Sequence, residues 1–359
     1  FLLYLLFLYL GTFNFDMKKI LVLGAGAMGS AFTVPCIDNN NEVVLVGTHL
    51  ENDSIDQIKN QKNFHKILNC KLSDKLKIAK FDEFSKIFSI IPDLIVVAVN
   101  SKGIEWAGKE LSKHYKSDIP IILLTKGLTL IENKFATLAE KLKIILEKNG
   151  IKKTNISAVG GPCLAKGLAN RIRSSVVLAN PNLNIIKSIG SIISTEYYSV
   201  ECSDDLLGVE VCAATKNIYS MIIGASEGLC SSKADKEIKR ENHLNTAASL
   251  MYKSLSEMVY FTTALGGKEQ TVYGLAGLGD LYVSSAGGRN SKMGQYLGEG
   301  YDYLTAKKKF MSNDTIEGAE LALEVGPKIL KEFNNKKLSL MMGLIETICN
   351  NKKFIFEWS

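Results

Sequence analysis

A single lysine, Lys216, lies in a helical segment that otherwise carries almost no charge, and it is the residue best suited to proton transfer. It belongs to the run GVEVCAATKN (208–217), inside a helix predicted from Leu206 to Leu229 that is apolar on nearly every face. Such a helix is expected to be buried, and burial lowers the pKa of a lysine ammonium toward neutrality. Lys216 is therefore a candidate general acid and base. A structural alternative stays open, in which Lys216 reaches solvent or pairs with Glu210.

A glycine-rich segment near the N-terminus indicates a dinucleotide site. The run KKILVLGAGAMGSA (18–31) is typical of a strand, a G-x-G-x-x-G turn and a helix. In that turn Gly24 makes the bend, Gly26 lets the backbone approach a pyrophosphate, and Gly29 lets the helix pack on the strand. A second strand, 42–47, follows where this unit requires it, although a turn without a ligand is the alternative. A lysine acid/base that follows such a unit points to redox chemistry.

The end of the second strand bears on which dinucleotide binds. An acidic residue that bonds the ribose hydroxyls is expected there in NAD-binding folds. This chain instead has Gly47, Thr48 and His49, with no carboxylate before Glu51 and no arginine for a 2′-phosphate. Thr48 or His49 could contact such a phosphate. The expected cofactor is therefore NAD(P), with a leaning toward NADP.

A second cluster of polar residues lies in the glycine-rich run 274–300. Asp280 lies in a glycine-rich turn, where its carboxylate could orient a lysine or a substrate hydroxyl, and the motif GGRN (287–290) directly precedes a predicted helix. Exposed glycine amides, a helix N-terminus and the planar guanidinium of Arg289 together favour a phosphate site. The structural alternative is a capped helix start with a surface arginine.

The chain is long enough for two domains, and its pattern divides accordingly. It has 359 residues and a net charge of +6 that is spread along the sequence, which suits anionic substrates without indicating nucleic acid. Seven cysteines without a C-x-x-C pair indicate reduced thiols in a cytoplasmic protein. Four scattered histidines show no metal-ligand spacing, so no metal is expected.

Strand and helix signals alternate up to Ser203, which predicts an α/β fold with a mostly parallel sheet. The predicted strands are 20–24, 42–46, 93–99, 119–124, 156–160, 175–179 and 197–201, with helices between them such as 101–115 and 133–148. We therefore expect a Rossmann-type NAD(P)-binding domain over 17–203. Lys126 and the turn GGP (160–162) follow strands and should face the ligand crevice.

An all-α substrate-binding domain is predicted over 204–359. Its helices are expected at 205–229, 243–265, 291–299, 315–334 and 336–350. The lysine-rich stretch from Ser231 to Glu241 is expected to be a solvated, mobile loop.

The first ten residues, FLLYLLFLYL, are too few to span a bilayer and lack the flanks of a secretory signal. Met17, directly before the first strand, is the expected natural start. Residues 1–16 are then a non-native or disordered apolar extension, with a membrane anchor as the alternative.

Taken in order, the motifs G-A-G-A-M-G, T-K-G, G-G-P, the helix with K-N, and D followed by G-G-R-N resemble the NAD(P)-dependent glycerol-3-phosphate dehydrogenase family. The resemblance runs from Met17 to the C-terminus, and GVEVCAATKN and GGRNSKMGQYLGEG are specific to that family. It implies hydride transfer between NAD(P)(H) and a substrate pair, dihydroxyacetone phosphate and sn-glycerol 3-phosphate. This reaction supplies glycerol 3-phosphate for phospholipid synthesis.

The resemblance also implies the site residues. The implied catalytic residues are Lys216 and Asp280. The implied substrate-binding residues are Lys126, Gly161, Cys163, Asn217, Ser284, Gly288, Arg289 and Asn290. The implied cofactor-binding residues are Gly24, Gly26, Ala27, Met28, Gly29, Thr48, Lys126, Ala165, Arg289, Thr315 and Glu317.

Several positions depart from the family pattern, and they bear on affinity and cofactor preference more than on the reaction. Cys163 replaces a serine or threonine, Gly167 a glutamate, Asn100 a proline, and Ser284 a threonine. The Thr48–His49 corner also lacks the arginine often found there.

Two other functions stay open. A related dehydrogenase of a small oxo-acid, similar to ketopantoate reductase, would not need the GGRN phosphate site. A non-catalytic dinucleotide-binding regulator would be expected to lose Lys216 or Asp280, and both are present. The expected partner is a small phosphorylated substrate, with no nucleic acid and no membrane, and a homodimer is left open.

Overall fold

Short apolar runs of the N-terminal half form one sheet of eight strands. The computed structural model describes residues 17–116, 118–231 and 239–355. In chain order its strands are β1 (Lys19–Leu23), β2 (Glu42–Val46), β3 (Phe64–His65), β4 (Cys70–Lys71), β5 (Lys77–Ala79), β6 (Leu94–Val97), β7 (Pro120–Leu123), β8 (Leu128–Ile131), β9 (Lys134–Thr137), β10 (Asn155–Gly160), β11 (Ser174–Ala179) and β12 (Tyr198–Ser203). The eight-stranded sheet has the order β12-β11-β10-β7-β6-β1-β2-β5, and the other four strands form two hairpins.

The central strands are parallel and buried on both faces. All neighbouring pairs in the large sheet are parallel except β10 with β11. The runs LIVV in β6 and PIIL in β7 are almost wholly buried, as expected for a parallel sheet covered by helices on both sides. The carboxyl ends of β2, β1, β6, β7 and β10 therefore meet at one edge of the sheet, where ligands of such folds bind.

Helices cover the sheet and then form a separate layer after β12. In chain order they are α1 (Ala27–Asp38), α2 (Asn52–Asn60), α3 (Phe84–Phe88), α4 (Ile104–Ser112), α5 (Leu138–Lys148), α6 (Ala165–Ala169), α7 (Leu183–Ile193), α8 (Leu206–Ser231), α9 (Lys239–Ala264), α10 (Glu269–Tyr273), α11 (Asp280–Ser285), α12 (Arg289–Gly298), α13 (Tyr303–Phe310), α14 (Glu317–Glu332) and α15 (Ser339–Cys349). The predicted fold class, a Rossmann-type α/β domain followed by a helical one, is confirmed.

Helix α8 is the core of the helical half. By length and composition it could cross a membrane, but 78% of its apolar stretch is buried inside the fold. It packs against α9, α11, α12 and α14, and the hairpin residue Leu128 joins the same apolar core. Because it is buried by protein on nearly all sides, its apolar composition is explained without a membrane.

The structure differs from the sequence-based expectation at several elements. The predicted helix 133–148 begins only at Leu138, because 134–137 pairs as β9 and the Thr137 side chain accepts a hydrogen bond from the Glu140 N–H as an N-cap. The strand β5, both hairpins and the short helices α10, α11 and α13 were not predicted. Of the expected loop Ser231–Glu241, residues 232–238 lie outside the described residues, and α9 already begins at Lys239. Residues 1–16 also lie outside them.

Glycines let α8 and α12 approach until their backbones touch. A side chain on Gly294 would begin 1.9 Å from the Met221 carbonyl oxygen, and one on Gly224 would begin 2.3 Å from the Ser291 carbonyl oxygen. Neither position has room for a methyl group. This close packing fixes the start of α12, with its GGRN motif, beside the middle of α8.

We predict that Gly294→Ala lowers the free energy of unfolding by about 1–3 kcal/mol, because the added methyl forces the two helices apart. Gly190→Ala is the matched control, since it lies in α7 with its nearest contact, Val200 Cγ1, at 3.8 Å. The control should be neutral or stabilising through helix propensity. Urea unfolding followed by circular dichroism measures both variants. Equal unfolding midpoints for Gly294→Ala and the wild type would refute the packing argument.

Candidate active site

A buried carboxylate lies between two lysines at the carboxyl edge of the sheet. Asp280, only 3% exposed, accepts a hydrogen bond from Lys126 Nζ to its Oδ2 at 3.1 Å, and its Oδ1 accepts one from Lys216 Nζ. Lys126 follows β7, Lys216 lies in α8, and Asp280 is the first residue of α11. The three side chains therefore come from separate elements and from both halves of the chain.

The turn before Asp280 holds the carboxylate against the sheet edge. It is a π-helical turn over Leu275–Gly279. A side chain on Gly279 would begin 3.3 Å from Pro162 Cδ, so the GGP turn after β10 packs directly on it. The carboxylate is thereby fixed from both sides of the crevice.

Burial and charge set the protonation of the cluster. Burial, with Lys126 as a second cation, lowers the pKa of Lys216 to about 8 even though Asp280 opposes the shift. Burial alone would raise the pKa of Asp280, but the charges and hydrogen bonds of Lys126 and Lys216 outweigh it and hold that pKa below its usual range. Asp280 is thus ionised near neutrality, and Lys216 can gain or lose a proton in the same pH range.

Lys216 neither extends into solvent nor pairs with Glu210, the two structural alternatives that the sequence left open. Its side chain is only 12% exposed, so it does not extend into solvent. Glu210 instead accepts a hydrogen bond from the Ala139 N–H at 3.2 Å, at the start of α5. Burial raises the pKa of Glu210 to about 8.

The start of α12 offers an open anion site next to this cluster. The Arg289 side chain is 51% exposed and pairs with Glu317 at the start of α14. Asn290 donates to Asn217 Oδ1 at 3.1 Å and accepts from the Gly318 N–H at 2.9 Å, which ties α12 to α8 and α14. Gly288 has φ +106°, and a side chain there would meet nothing within 4 Å. An accessible guanidinium and free amides at a helix start suit a phosphate.

The glycine turn after β1 fits a dinucleotide. A side chain on Gly24, at φ +112°, would begin 2.8 Å from the Ala98 backbone, and one on Gly29 would begin 2.1 Å from the Gly24 carbonyl oxygen. Over Gly26 the nearest atom is Glu51 Oε1 at 3.8 Å. Helix α1 then begins at Ala27, with Met28 as its second residue, and no side chain caps its N-terminus. The space over Gly26 and the uncapped amides match the needs of a pyrophosphate.

The corner at the end of β2 differs from the sequence-based expectation. Glu51 Oε2 accepts hydrogen bonds from the Thr48 N–H at 2.7 Å and the Ala25 N–H at 3.0 Å. The chain between Thr48 and α2 folds back, so a carboxylate lies at the corner that was expected to lack one. The ground for leaning toward NADP is therefore removed. The sequence signal was present, since Glu51 directly precedes α2, but its fold-back depends on a turn that was not predicted.

The other predicted residues lie on several elements of the fold. Gly161, with φ +118°, and Cys163 follow β10. The Cys163 thiol interacts electrostatically with Lys126, Asp280 and Lys216. Burial raises the pKa of the Cys163 thiol. Of the remaining positions, Ala165 begins α6, Ser284 lies one turn beyond Asp280 in α11, and Thr315 is exposed before α14. Thr48 is separated from β7 by three strand spacings, about 14 Å.

Two contacts that no sequence pattern indicates join the halves of the chain. Lys102, after β6, donates to Glu320 in α14 at 2.7 Å. Thr129 in β8 donates to Glu324 in the same helix. No sequence motif marks either pair, so only the tertiary structure reveals them.

Comparisons with known proteins agree on one family over most of the chain. Family models for the N-terminus and the C-terminus of NAD-dependent glycerol-3-phosphate dehydrogenase match residues 19–186 and 205–355. The chain is 31% identical over 313 residues to the NADP(+)-dependent glycerol-3-phosphate dehydrogenase of Archaeoglobus fulgidus, covering 86% of this chain and 90% of that one. It is 28% identical over 346 residues to the glycerol-3-phosphate dehydrogenase [NAD(P)+] of Clostridium botulinum, covering 95% and 94%.

A solved structure shows the same fold. The crystal structure of glycerol-3-phosphate dehydrogenase from Coxiella burnetii matches with a TM-score of 0.76 at 24% identity, covering 94% of this chain and 96% of that one.

We predict that Lys216 titrates at about pH 8 in the folded protein, well below the ordinary 10.5 for lysine. Asp280→Asn should lower this pKa further, because it removes the anion that favours the ammonium and leaves Lys126 in place. Side-chain NMR of ¹³C-labelled lysine measures both, and the missing resonance in Lys216→Met assigns the signal. Titration near 10.5 in the wild type would contradict the electrostatic account.

Proposed function

The chain belongs to the NAD-dependent glycerol-3-phosphate dehydrogenase family and is an NAD(P)-dependent oxidoreductase, and on this premise we propose that it interconverts dihydroxyacetone phosphate and sn-glycerol 3-phosphate. The observation that carries the proposal is the pairing of two sites. A buried acid/base lysine, held by Asp280, stands beside the open anion site of Arg289. A substrate with a carbonyl at one end and a phosphate at the other fits this arrangement.

A bound nicotinamide supplies the hydride for reduction or accepts it in oxidation. In reduction, protonated Lys216 donates a proton from Nζ to the carbonyl oxygen, so that no full alkoxide charge develops in the buried site. In oxidation, neutral Lys216 accepts the proton of the hydroxyl. Asp280 fixes the Nζ position through its hydrogen bond. Burial and the charge of Lys126, partly offset by Asp280, lower the pKa of Lys216 to about 8, where both forms are accessible.

The phosphate end of the substrate is assigned to the start of α12. Arg289 offers two parallel donors, and the amides after Gly288 add further ones. Glu317 holds the Arg289 guanidinium in place beside α14, and Asn290 links that helix to Asn217. Binding energy from the phosphate then positions the carbonyl near Lys216, which is how a group remote from the reaction raises the rate.

The two alternatives explain less of the site. A ketopantoate reductase-like enzyme acts on a substrate that lacks a phosphate and leaves Arg289 without a role. A non-catalytic regulator leaves the buried cluster of Lys126, Asp280 and Lys216 without a role, and such a cluster is costly to maintain.

The cofactor is a nicotinamide dinucleotide, but the choice between NAD and NADP is a separate matter. The names of the two relatives between them cover both cofactors. In the cell, the proposed role is to supply glycerol 3-phosphate for phospholipid synthesis in the cytoplasm. The proposed partner is the small phosphorylated substrate, without nucleic acid or membrane, and a homodimer stays open.

We predict that Arg289→Ala raises the KM for dihydroxyacetone phosphate and lowers kcat/KM by the equivalent of about 1.5–3 kcal/mol, because a charge-assisted contact to the phosphate is lost. Lys292→Ala is the matched control, since it removes an exposed cation from the same helix turn. Steady-state kinetics with dihydroxyacetone phosphate and with unphosphorylated dihydroxyacetone measures the effect. If the wild type reduces both substrates equally well, the phosphate site is wrongly assigned.

A further inference from the structure

The hairpin of β3 and β4 brings one buried histidine to the glycine turn. His65 is the second residue of β3 and is only 4% exposed. Its Nε2 lies 3.4 Å from the carbonyl oxygen of Ala25, the residue between the first two glycines of the turn. The proposed reaction uses no residue of this hairpin, so it does not explain the contact.

The surroundings of the His65 ring decide which nitrogen carries the proton. The Leu68 N–H donates to Nδ1 at 3.2 Å, so Nδ1 is an acceptor and carries no hydrogen. Nε2 then carries the proton and donates it to the Ala25 carbonyl. Burial lowers the pKa of His65 below its usual value, although the Ala25 carbonyl and the charge of Glu51 favour the cation. The ring is therefore neutral near pH 7, with its proton on Nε2.

The hairpin holds the ring firmly against the turn. Leu68 and Leu72 are each 1% exposed, and they belong to the same apolar core as Ala25 and Val22. Because Leu68 is both the partner of Nδ1 and a member of this core, His65 cannot move away from the turn without disturbing the core.

The Ala25 carbonyl belongs to the same peptide group as the Gly26 N–H. In a trans peptide these two groups point in opposite directions, and the described residues contain no cis peptide. The buried hydroxyl of Ser30 also donates to the Ala25 carbonyl, at 3.1 Å, so the carbonyl is held on the inner side of the turn. The Gly26 N–H is thereby directed to the outer side, where a pyrophosphate approaches.

The glycine makes this orientation depend on the bonds to the Ala25 carbonyl. Glycine accepts a wide range of φ, so the peptide before Gly26 can rotate at little steric cost once its carbonyl is released. The Ser30 bond comes from 5 residues along the chain, whereas the His65 bond comes from 40 residues away, in a separate element. The His65 bond is thus the tertiary contact that fixes the peptide.

We propose that His65 is a positioning residue for the dinucleotide. Its Nε2–H holds the Ala25 carbonyl on the inner side of the glycine turn and so keeps the Gly26 N–H directed at the pyrophosphate. The inference rests on the nicotinamide dinucleotide cofactor and does not depend on the substrate of the proposed function.

The test compares two substitutions that each keep one half of the ring chemistry. The amide nitrogen of His65→Gln takes the place of Nε2 and can still donate to Ala25. The side-chain oxygen of His65→Asn takes the place of Nδ1 and can still accept from Leu68. Each variant loses one of the two hydrogen bonds, so the pair is matched in its structural cost and differs in its effect on the turn.

Fluorescence titration with NADH, without substrate, measures cofactor binding. His65→Asn should bind NADH about three- to tenfold more weakly than the wild type, the effect of roughly one hydrogen bond. His65→Gln should stay within about twofold of the wild type, because the donor to Ala25 is kept. The KM for dihydroxyacetone phosphate at saturating NADH should be unchanged in both variants, since the substrate site is not altered.

His114→Asn is a further control, because it removes a half-buried imidazole that contacts Ser85 Oγ at 3.1 Å, beyond the end of α4. Its NADH affinity should equal that of the wild type. If His65→Asn binds NADH no more weakly than His65→Gln, the inference is overturned and His65 has only a structural role. A lack of turnover with dihydroxyacetone phosphate, together with the expected NADH affinities, would contradict only the proposed substrate.

A second measurement needs only the folded wild type. In ¹⁵N NMR of histidine-labelled protein near pH 7, His65 should be neutral with its proton on Nε2, and the signal missing in His65→Gln assigns it. A proton on Nδ1 would leave no donor for the Ala25 carbonyl and would equally overturn the inference.

Discussion

The active site depends on one interaction, the buried carboxylate of Asp280 between the ammonium groups of Lys126 and Lys216. A lone carboxylate at this depth would be costly, and two lysines without it would repel each other. The trio is stable only as a unit, and its members come from the segment after β7, from α8 and from α11. Correct assembly of the nucleotide-binding half against the helical half is therefore a condition for the charges to be paired. Burial of this unit, with Lys126 as a second cation, lowers the pKa of Lys216 to about 8 although Asp280 opposes the shift, and this pKa suits proton exchange.

Backbone packing determines where the rest of the site lies relative to this trio. The glycine contacts between α8 and α12 bring the start of α12 beside the middle of α8, and Asn290 bonds Asn217, the neighbour of Lys216. The anion site of Arg289 is thus held at a fixed distance from the acid/base lysine. A rigid spacing of this kind lets the binding of a phosphate orient a carbonyl, so the stability of the helical core and the specificity of the site have a common origin.

The sequence predicts the parts of the structure that are local or strongly periodic. The central strands, the glycine turn, the long helix with Lys216 and the GGRN motif are each recognisable from adjacent residues. Strands of two or three residues, such as those of the first hairpin and β5, are too short to show a period. The partner of Lys216 lies 64 residues away, and spacing alone could not distinguish Asp280 from Glu210. Glu51 lies at the cofactor corner because of the turn after Thr48, which its position after β2 does not show.

The most direct test of the account is the kinetics of Lys216→Met beside the wild type across pH, with dihydroxyacetone phosphate and with sn-glycerol 3-phosphate. The wild-type kcat/KM for reduction needs the ammonium and should fall as pH rises through about 8, whereas that for oxidation needs the neutral amine and should rise through the same range. Lys216→Met should lose about 10²–10⁴-fold of turnover in both directions while NADH binding, measured by fluorescence, is unchanged. Wild-type turnover in Lys216→Met would contradict the assignment of Lys216 as the acid and base.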